Sequence, residues 1–508
     1  MAKRTALTRT NTVPPTMLPP RAASALVKRG ARGEWRRVSG VRGALGGALA
    51  LMAGTAALSP ASMAATATAT ATASTPAPST PTATFAATAA PSIAMATAST
   101  STASTPTPTP STPTPSTATP SEPASTPSAT PTCPTTAFHA FDNARAARSA
   151  VSAGWPAWEQ FRSKFVSADG RVIDVGSDDE RTVSEGQSYG LFFALVANDR
   201  ASFDRLLHWT ENNLAAGDLT LHLPAWLWGR GQDGKWGVLD SNAASDADLW
   251  IAYALLEAGR VWNERSYTVR GASLAKRVLD SETAHVPGLG FTLLPGPVGF
   301  HPQPDLWRVN PSYAPVQVLR GLAAALPSDR RWQALVDSSA RVLADTAPQG
   351  FSPDWSLYRT GKGFQPDTET HAESAYNAIR VYLWAGMLNG SDPLRGALLG
   401  RFAPFARFIE AHGAPPERID TTDAKPGPND GNAGFSAAAI PFLIARGEAA
   451  LADRQAARVD QLDVQTAPGY YTSVLTLFGL GWRDGRYRFA ADGSLDLPWS
   501  SICRPAKR

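Results

Sequence analysis

An all-α fold, with its helices paired into a closed ring, is what this 508-residue chain predicts, and three observations carry the prediction. Ten segments repeat apolar residues at helical spacing: 187–198, 201–214, 244–262, 273–281, 313–326, 331–346, 371–388, 393–412, 435–446 and 470–481. Clusters of Gly, Pro and Asp, such as LPGPVG and TDAKPGPNDGN, separate them. Strand-like alternation is scarce; its clearest cases, near 291–294 and 487–490, read as short β-hairpins in loops. No short motif recurs at a fixed period, which counts against an open solenoid.

The elements follow in order. Residues 1–64 read as a targeting segment. A basic stretch (28–42) precedes the apolar run GALGGALALMAGTAAL (43–58), and the small residues Ser62 and Ala64 flank Met63. That is the order of a secretory signal, and the run is shorter than the ~20 apolar residues of a comfortable membrane span. Residues 65–132 are Ala, Thr, Ser and Pro, interrupted only by Phe85, Ile93, Met95 and Glu122. Such a stretch buries too little apolar area to offset its ordering entropy, so a disordered spacer is expected. Residues 133–508 form one folded, helical domain.

Charge and cysteine content exclude several classes. The first 132 residues hold ten basic and two acidic side chains, which leaves 37 basic and 41 acidic groups in the remainder. The basic balance of the whole chain therefore belongs to its front end and is no argument for a nucleic-acid partner. Only Cys133 and Cys503 are present, so a four-cysteine zinc site and an all-cysteine cluster are out. An exported chain meets an oxidising compartment, and these two cysteines are candidates for one disulfide joining the ends of the domain. The seven His residues are scattered, which disfavours a metal site, and no cofactor is implied.

Trp and Tyr concentrate in loops and at helix starts: Trp226, Trp228, Trp236, Trp307, Tyr313, Trp355, Tyr358 and Trp499. Most serve packing. Aromatic rings with a polar edge also suit a half-wet groove that stacks sugars. Two acidic motifs stand beside them. In SEGQSYG (184–190), Ser184 reads as an N-cap with Gln187 at the capping-box position, and Glu185 falls in the first turn of an otherwise apolar helix. In ASDADLW (244–250), two carboxylates open a long apolar helix; Asp248 can cap it, which frees Asp246 to face a groove.

At these residues the sequence resembles glycoside hydrolase family 8. The segment 244–262 is similar to that family's signature, A-[ST]-D-[AG]-D leading into an apolar helix that ends at an aromatic residue. SEGQSYG resembles its general-acid motif. WPAWEQF (155–161), GRVID (170–174), LPAWLWG (223–229), VPGLG (286–290), NPSY (310–313), GFSPDW (350–355), AIRVYLW (378–384) and GFSAA (434–438) look like the endoglucanases encoded with bacterial cellulose synthases. The likeness runs from about 154 to 499. It implies an (α/α)6 barrel and inverting hydrolysis of internal β-1,4-glucan bonds, with a cellulose synthase complex as a candidate partner; with the signal-like front end, an exported, periplasmic or secreted monomer is expected. It makes Glu185 the acid and places Asp246 at the groove floor, with Tyr189, Trp228, Tyr313, Trp355, Tyr376, Asn377 and Arg380 as substrate-binding residues.

One position departs from the family. Its cellulases carry the water-activating Asp in a Tyr-Asp-x-x-Arg pattern, where this chain has Tyr376-Asn377-Ala378-Ile379-Arg380. A neutral amide orients a water but does not take its proton. If 371–388 is one helix, then Glu369, Glu373, Asn377 and Arg380 share a face, and Glu373 and Asp246 are rival bases. Chitosan, mixed-linked glucan or xylan remain alternative substrates, and a glucan-binding accessory protein with weak catalysis is the alternative from another class.

Overall fold

The computed structural model describes residues 154–175, 180–465 and 468–500, all within one compact unit. The targeting segment, the spacer, Cys133 and Cys503, with the proposed disulfide, lie outside the described residues.

The helices divide by their burial. Helix α1 (Pro156–Phe165) starts on a proline, which fits the first helical position. Helix α2 (Ser184–Val196) is buried on every side, because LFFALV offers no polar face. Helix α4 (Ser245–Val261) is buried from Ser245 to Gly259, and α8 (Ile379–Met387) is buried throughout. Helix α6 (Val316–Ala325), α11 (Ala433–Ala445) and α13 (Tyr470–Arg483) complete the inner set.

Each inner helix has an amphipathic companion. These are α3 (Arg200–Leu214), α5 (Arg265–Ser281), α7 (Arg331–Asp345), α9 (Arg395–Arg401) with α10 (Ala403–His412), α12 (Ala449–Gln465) and, against α13, α1. In α7 the buried side chains Trp332, Leu335, Val336, Ser339, Val342 and Leu343 trace one helical stripe.

Contacts run α2 to α4, α4 to α6, α6 to α8, α8 to α11 and α11 to α13. Phe478 of α13 meets Tyr189, Phe192 and Phe193 of α2 at ring-centroid distances of 5.0, 5.5 and 4.6 Å. Two glycines permit the closest approaches. A Cβ on Gly386 of α8 would stand 2.2 Å from Phe442 N of α11, and one on Gly479 of α13 would stand 1.9 Å from Ala437 O.

Small antiparallel sheets join the helix pairs. The first orders β1 (Thr182–Val183), β2 (Leu227–Arg230) and β3 (Trp236–Asp240). β4 (Thr283–Val286) pairs with β5 (Gly290–Leu293), and β7 (Ser356–Arg359) lies between β6 (Leu306–Val309) and β8 (Gly363–Pro366). β10 (Ile419–Asp420) lies between β9 (Glu373–Ser374) and β11 (Lys425–Pro426), and β12 (Arg488–Phe489) pairs with β13 (Leu495–Asp496). The expected hairpins at 291–294 and 487–490 are among them.

Several expectations are corrected. Residues 371–388 are not one helix. His371 and Ala372 take positive φ (53° and 59°), Glu373 and Ser374 pair with Asp420 and Ile419, and helix begins only at Ile379. Glu369, Glu373, Asn377 and Arg380 therefore do not share a helical face. The segment 393–412 breaks at Phe402, ahead of Pro404. Helices α1 and α12 were not among the expected segments. Ser184 is not the N-cap: Val183 precedes the helix, Ser184 Oγ is buried without a partner, and the Gln187 side chain accepts from Val172 N (2.6 Å) and donates to Thr210 Oγ1 (2.9 Å). Asp248 does not cap α4 either, since Ala244 stands at that position and no side chain bonds the first turn from there.

Candidate active site

Arg380 organises the site, and the turn before it explains how it gets there. Asp354, fully buried, accepts Ala375 N (2.8 Å) and Ala378 N (2.7 Å) through one oxygen. That fixes the 375–378 turn and aims the first residues of α8 inward. The Arg380 side chain is 1% exposed and reaches three other elements as well as the turn before its own helix.

Its Nη1 donates to Glu185 Oε2, to Tyr189 Oη (3.0 Å) and to Asp246 Oδ2 (2.9 Å). Its Nη2 donates to Ser312 Oγ (3.0 Å) and to Asn377 Oδ1 (2.8 Å). The Tyr313 ring lies 5.7 Å from the guanidinium carbon. One fork thus gathers Glu185, Tyr189, Asp246, Tyr313, Asn377 and Arg380 of the expected set. Ser312, set by Asn310 at the start of a short 3-10 turn (Pro311–Tyr313), was not expected there; the NPSY motif was its only signal.

Burial and charge oppose each other on the two carboxyls. Burial pushes Glu185 up, Arg380 pulls it down and Asp246 pushes it up again; the outcome is about 7. Glu185 is therefore protonated below neutral pH and has a proton to give. Asp246 is also raised by burial, while Arg380 and the Ala247 N–H (2.8 Å to Oδ1) hold it down. Behind it stand Asp248 and Glu282, both fully buried. No hydrogen-bond donor of the protein reaches any of their carboxyl oxygens, and the two carboxyls are close enough to act on each other. Burial, then the neighbouring carboxyls, raises both well above the ordinary range.

Beside the fork opens a cleft of about 870 Å³, lined among others by Trp226, Asp240, Arg308, Tyr313, Trp355 and Glu369. The register of β2 and β3 shifts between Leu227 and Trp228, so Asp240 pairs with Leu227 while Val238 pairs with Trp228. This bulge turns Asp240 to the face opposite Trp228. Trp228 does not line this cleft. It packs edge-on to Trp209 (5.2 Å), stacks on Trp236 (5.4 Å) and lies under Arg171 (4.5 Å). Trp355 reaches the cleft wall but offers little free face, since Arg308 lies over its ring at 4.3 Å and it is 6% exposed. Tyr376 is half-buried, and its hydroxyl donates to Glu417 (2.7 Å). Glu373 is not on the Arg380 fork; its carboxylate pairs with Arg418.

A family model described as Glycosyl hydrolases family 8 matches residues 134–485. An endoglucanase of Escherichia coli (strain K12) is 48% identical over 352 residues, covering 69% of this chain and 92% of the relative. An endoglucanase of Xanthomonas axonopodis pv. citri is 48% identical over 352 residues, covering 68% of this chain and 89% of the relative. Among solved structures, an endo-1,4-D-glucanase from Vibrio fischeri is similar at 46% identity and TM-score 0.64, covering 68% of this chain and 99% of its own. An endo-β-1,4-glucanase from Acetobacter xylinum matches at 28% identity and TM-score 0.54, covering 67% and 99%.

Proposed function

The chain belongs to glycosyl hydrolase family 8, and on that footing we propose that it is an endo-1,4-β-glucanase acting with inversion, with Glu185 as general acid. The observation that carries the acid assignment is the meeting of Glu185 and Asp246 on one buried guanidinium nitrogen, with Glu185 pushed up to about 7. With Oε2 on Arg380, Glu185 carries its proton on Oε1 and gives it to the leaving glycosidic oxygen.

The other half-reaction needs a carboxylate across the sugar. Two oxygens on one nitrogen lie within about 6 Å, twice a hydrogen-bond length. An inverting pair stands ~6.5–9.5 Å apart to leave room for water. Glu185 and Asp246 must therefore part when a chain enters between them. Asn377, on the other arm of the fork, positions the water with its amide. Asp246, the only other carboxylate on the fork, receives the proton. Glu373, tied to Arg418, takes no part.

The second reading, a glucan-binding protein with weak catalysis, is supported by Asn377 alone. Product release from a soluble β-1,4-glucan, beside retention in gels containing that polymer, separates the two. Glu185→Gln should lower turnover by about 10²-fold or more while retention persists. Near-wild-type turnover would overturn the assignment.

The order of helix contacts, with Phe478 meeting α2, supports reading the inner helices as a closed six-membered ring, an (α/α)6 barrel. The signal-like segment 1–64 supports export, to the periplasm or beyond, and the composition of 65–132 supports a disordered spacer ahead of the catalytic domain. Action as a monomer on β-1,4-glucan chains, and an association with bacterial cellulose synthesis through a synthase complex, belong to the same reading and rest on the sequence likeness.

A further inference from the structure

Two tryptophans of the β2–β3 hairpin, Trp228 and Trp236, have no place in the cleft lining. In the hairpin register Trp228 stands opposite Val238 and Trp236 opposite Arg230, so these four side chains share one face of the sheet. β3 lies at an edge of that sheet. Trp236 is 45% exposed, and no other tryptophan among the described residues is as open. Val238 and Leu239 beside it are exposed as well.

The open ring is fixed from behind. Trp236 stacks on Trp228 at 5.4 Å, and Trp228 is braced edge-on by the buried Trp209 at 5.2 Å. The Arg171 guanidinium carbon lies 4.5 Å from the Trp228 ring centre and 4.8 Å from that of Trp236, within cation–π reach of both. Arg171 is held in turn: Nε donates to Thr182 Oγ1 (2.8 Å) and Nη2 to the Glu180 carbonyl. A ring held in this way loses little freedom when a ligand settles on it.

Its surroundings decide between ligands. Lys235 and Asp233, an exposed ion pair at 3.4 Å, stud the tip of the hairpin together with exposed Arg230. Charged side chains along an edge discourage pairing with a strand of another protein. Three apolar side chains also fall short of the ~800 Å² per partner of a standard protein interface. One open indole ring among polar neighbours suits a sugar, which offers an apolar ring face and hydroxyls at its rim.

We propose that Trp236, backed by Trp228 and Arg171, is a shelf outside the catalytic cleft that binds neutral β-linked glucan by stacking. The proposal rests on the glucanase reading and adds a second point of attachment. A polymer is held at both places, whereas a short oligosaccharide occupies the cleft alone.

The test compares Trp236→Ala and Trp236→Phe with the wild-type full chain. Retention in native gels containing hydroxyethylcellulose is measured in a Glu185→Gln background, and product release from cellopentaose in the active enzyme. Trp236→Ala should lower retention about fivefold, the scale of losing one anchoring aromatic ring. Its kcat/KM on cellopentaose should stay within about twofold of wild type. Trp236→Phe, which keeps a flat ring, should restore most of the retention. Unchanged retention in Trp236→Ala would overturn the proposal. So would an equal fall on cellopentaose, which would put the effect of the ring in the cleft. Retention kept while self-association in sedimentation velocity is lost would also overturn it, giving the patch to a second copy of the chain. If wild type released nothing from cellopentaose, the glucanase reading would fall, and the gel comparison would still decide the shelf.

Discussion

At the scale of residues, Arg380 and Asn377 set the character of the site. A guanidinium shared by Glu185 and Asp246 is left with a neutral partner at Asn377, where the family's cellulases supply a carboxylate. Asn377→Asp should therefore raise kcat on a β-1,4-glucan, with Arg380 keeping the new carboxylate ionised. Asp246→Asn should abolish activity, and Glu373→Gln should change kcat less than about threefold, because its carboxylate belongs to Arg418. No gain in Asn377→Asp would show that this position does not limit the enzyme. The pH profile carries the same logic. Glu185, raised to about 7, is a competent acid only while protonated, so kcat should decline as pH rises through about 7. A rate that kept rising above that pH would point to another acid. Glu185 and Asp246 were legible because each lies in a contiguous motif. Ser312 also lies in a contiguous motif, NPSY, but that motif holds no carboxylate to mark it, and its place in the site comes from a buried guanidinium that joins it to them across the fold.

At the scale of elements, the inner helices read clearly from sequence, since a run such as LFFALV has no polar face to expose. The 371–388 segment misled because its residues keep helical spacing while the backbone does something else. A pair of positive-φ residues and the pairing of Glu373 and Ser374 with β10 override propensity, and Asp354 then restarts the chain as a helix. The α8–α11 contact makes a sharp prediction. A Cβ at Gly386 would stand 2.2 Å from Phe442 N, a backbone atom that does not give way locally. Gly386→Ala should cost about 1–3 kcal/mol or more and lower the melting temperature, although alanine favours helix. An unchanged melting temperature would contradict so close an approach.

At the scale of the whole molecule, the acids behind the site tie stability to pH. Asp248 and Glu282 have folded pKa values raised above their unfolded ones. Their favourable contribution is complete below the unfolded values, ~3.9 and ~4.3, and is lost as pH rises toward the folded values. The combined Asp248→Asn, Glu282→Gln variant should flatten that loss, so its stability relative to wild type in urea should improve steadily from acidic to neutral pH. A constant difference would show that the pair keeps no proton. The helix-rich fold was legible at this scale because it follows from many amphipathic segments at once. The cleft was not, because Trp226, Asp240, Arg308 and Glu369 lie far apart in sequence, and a bulge decides which way Asp240 faces.

The central claim is that Glu185 protonates the leaving oxygen while a water, held on the far side of the sugar, attacks in one step. Proton NMR of freshly released products from a soluble β-1,4-glucan tests it most directly. The account predicts that the α-anomer appears first and then mutarotates, and that Glu185→Gln abolishes this signal. A β-anomer appearing first, which would mean a covalent intermediate and retention, would contradict it.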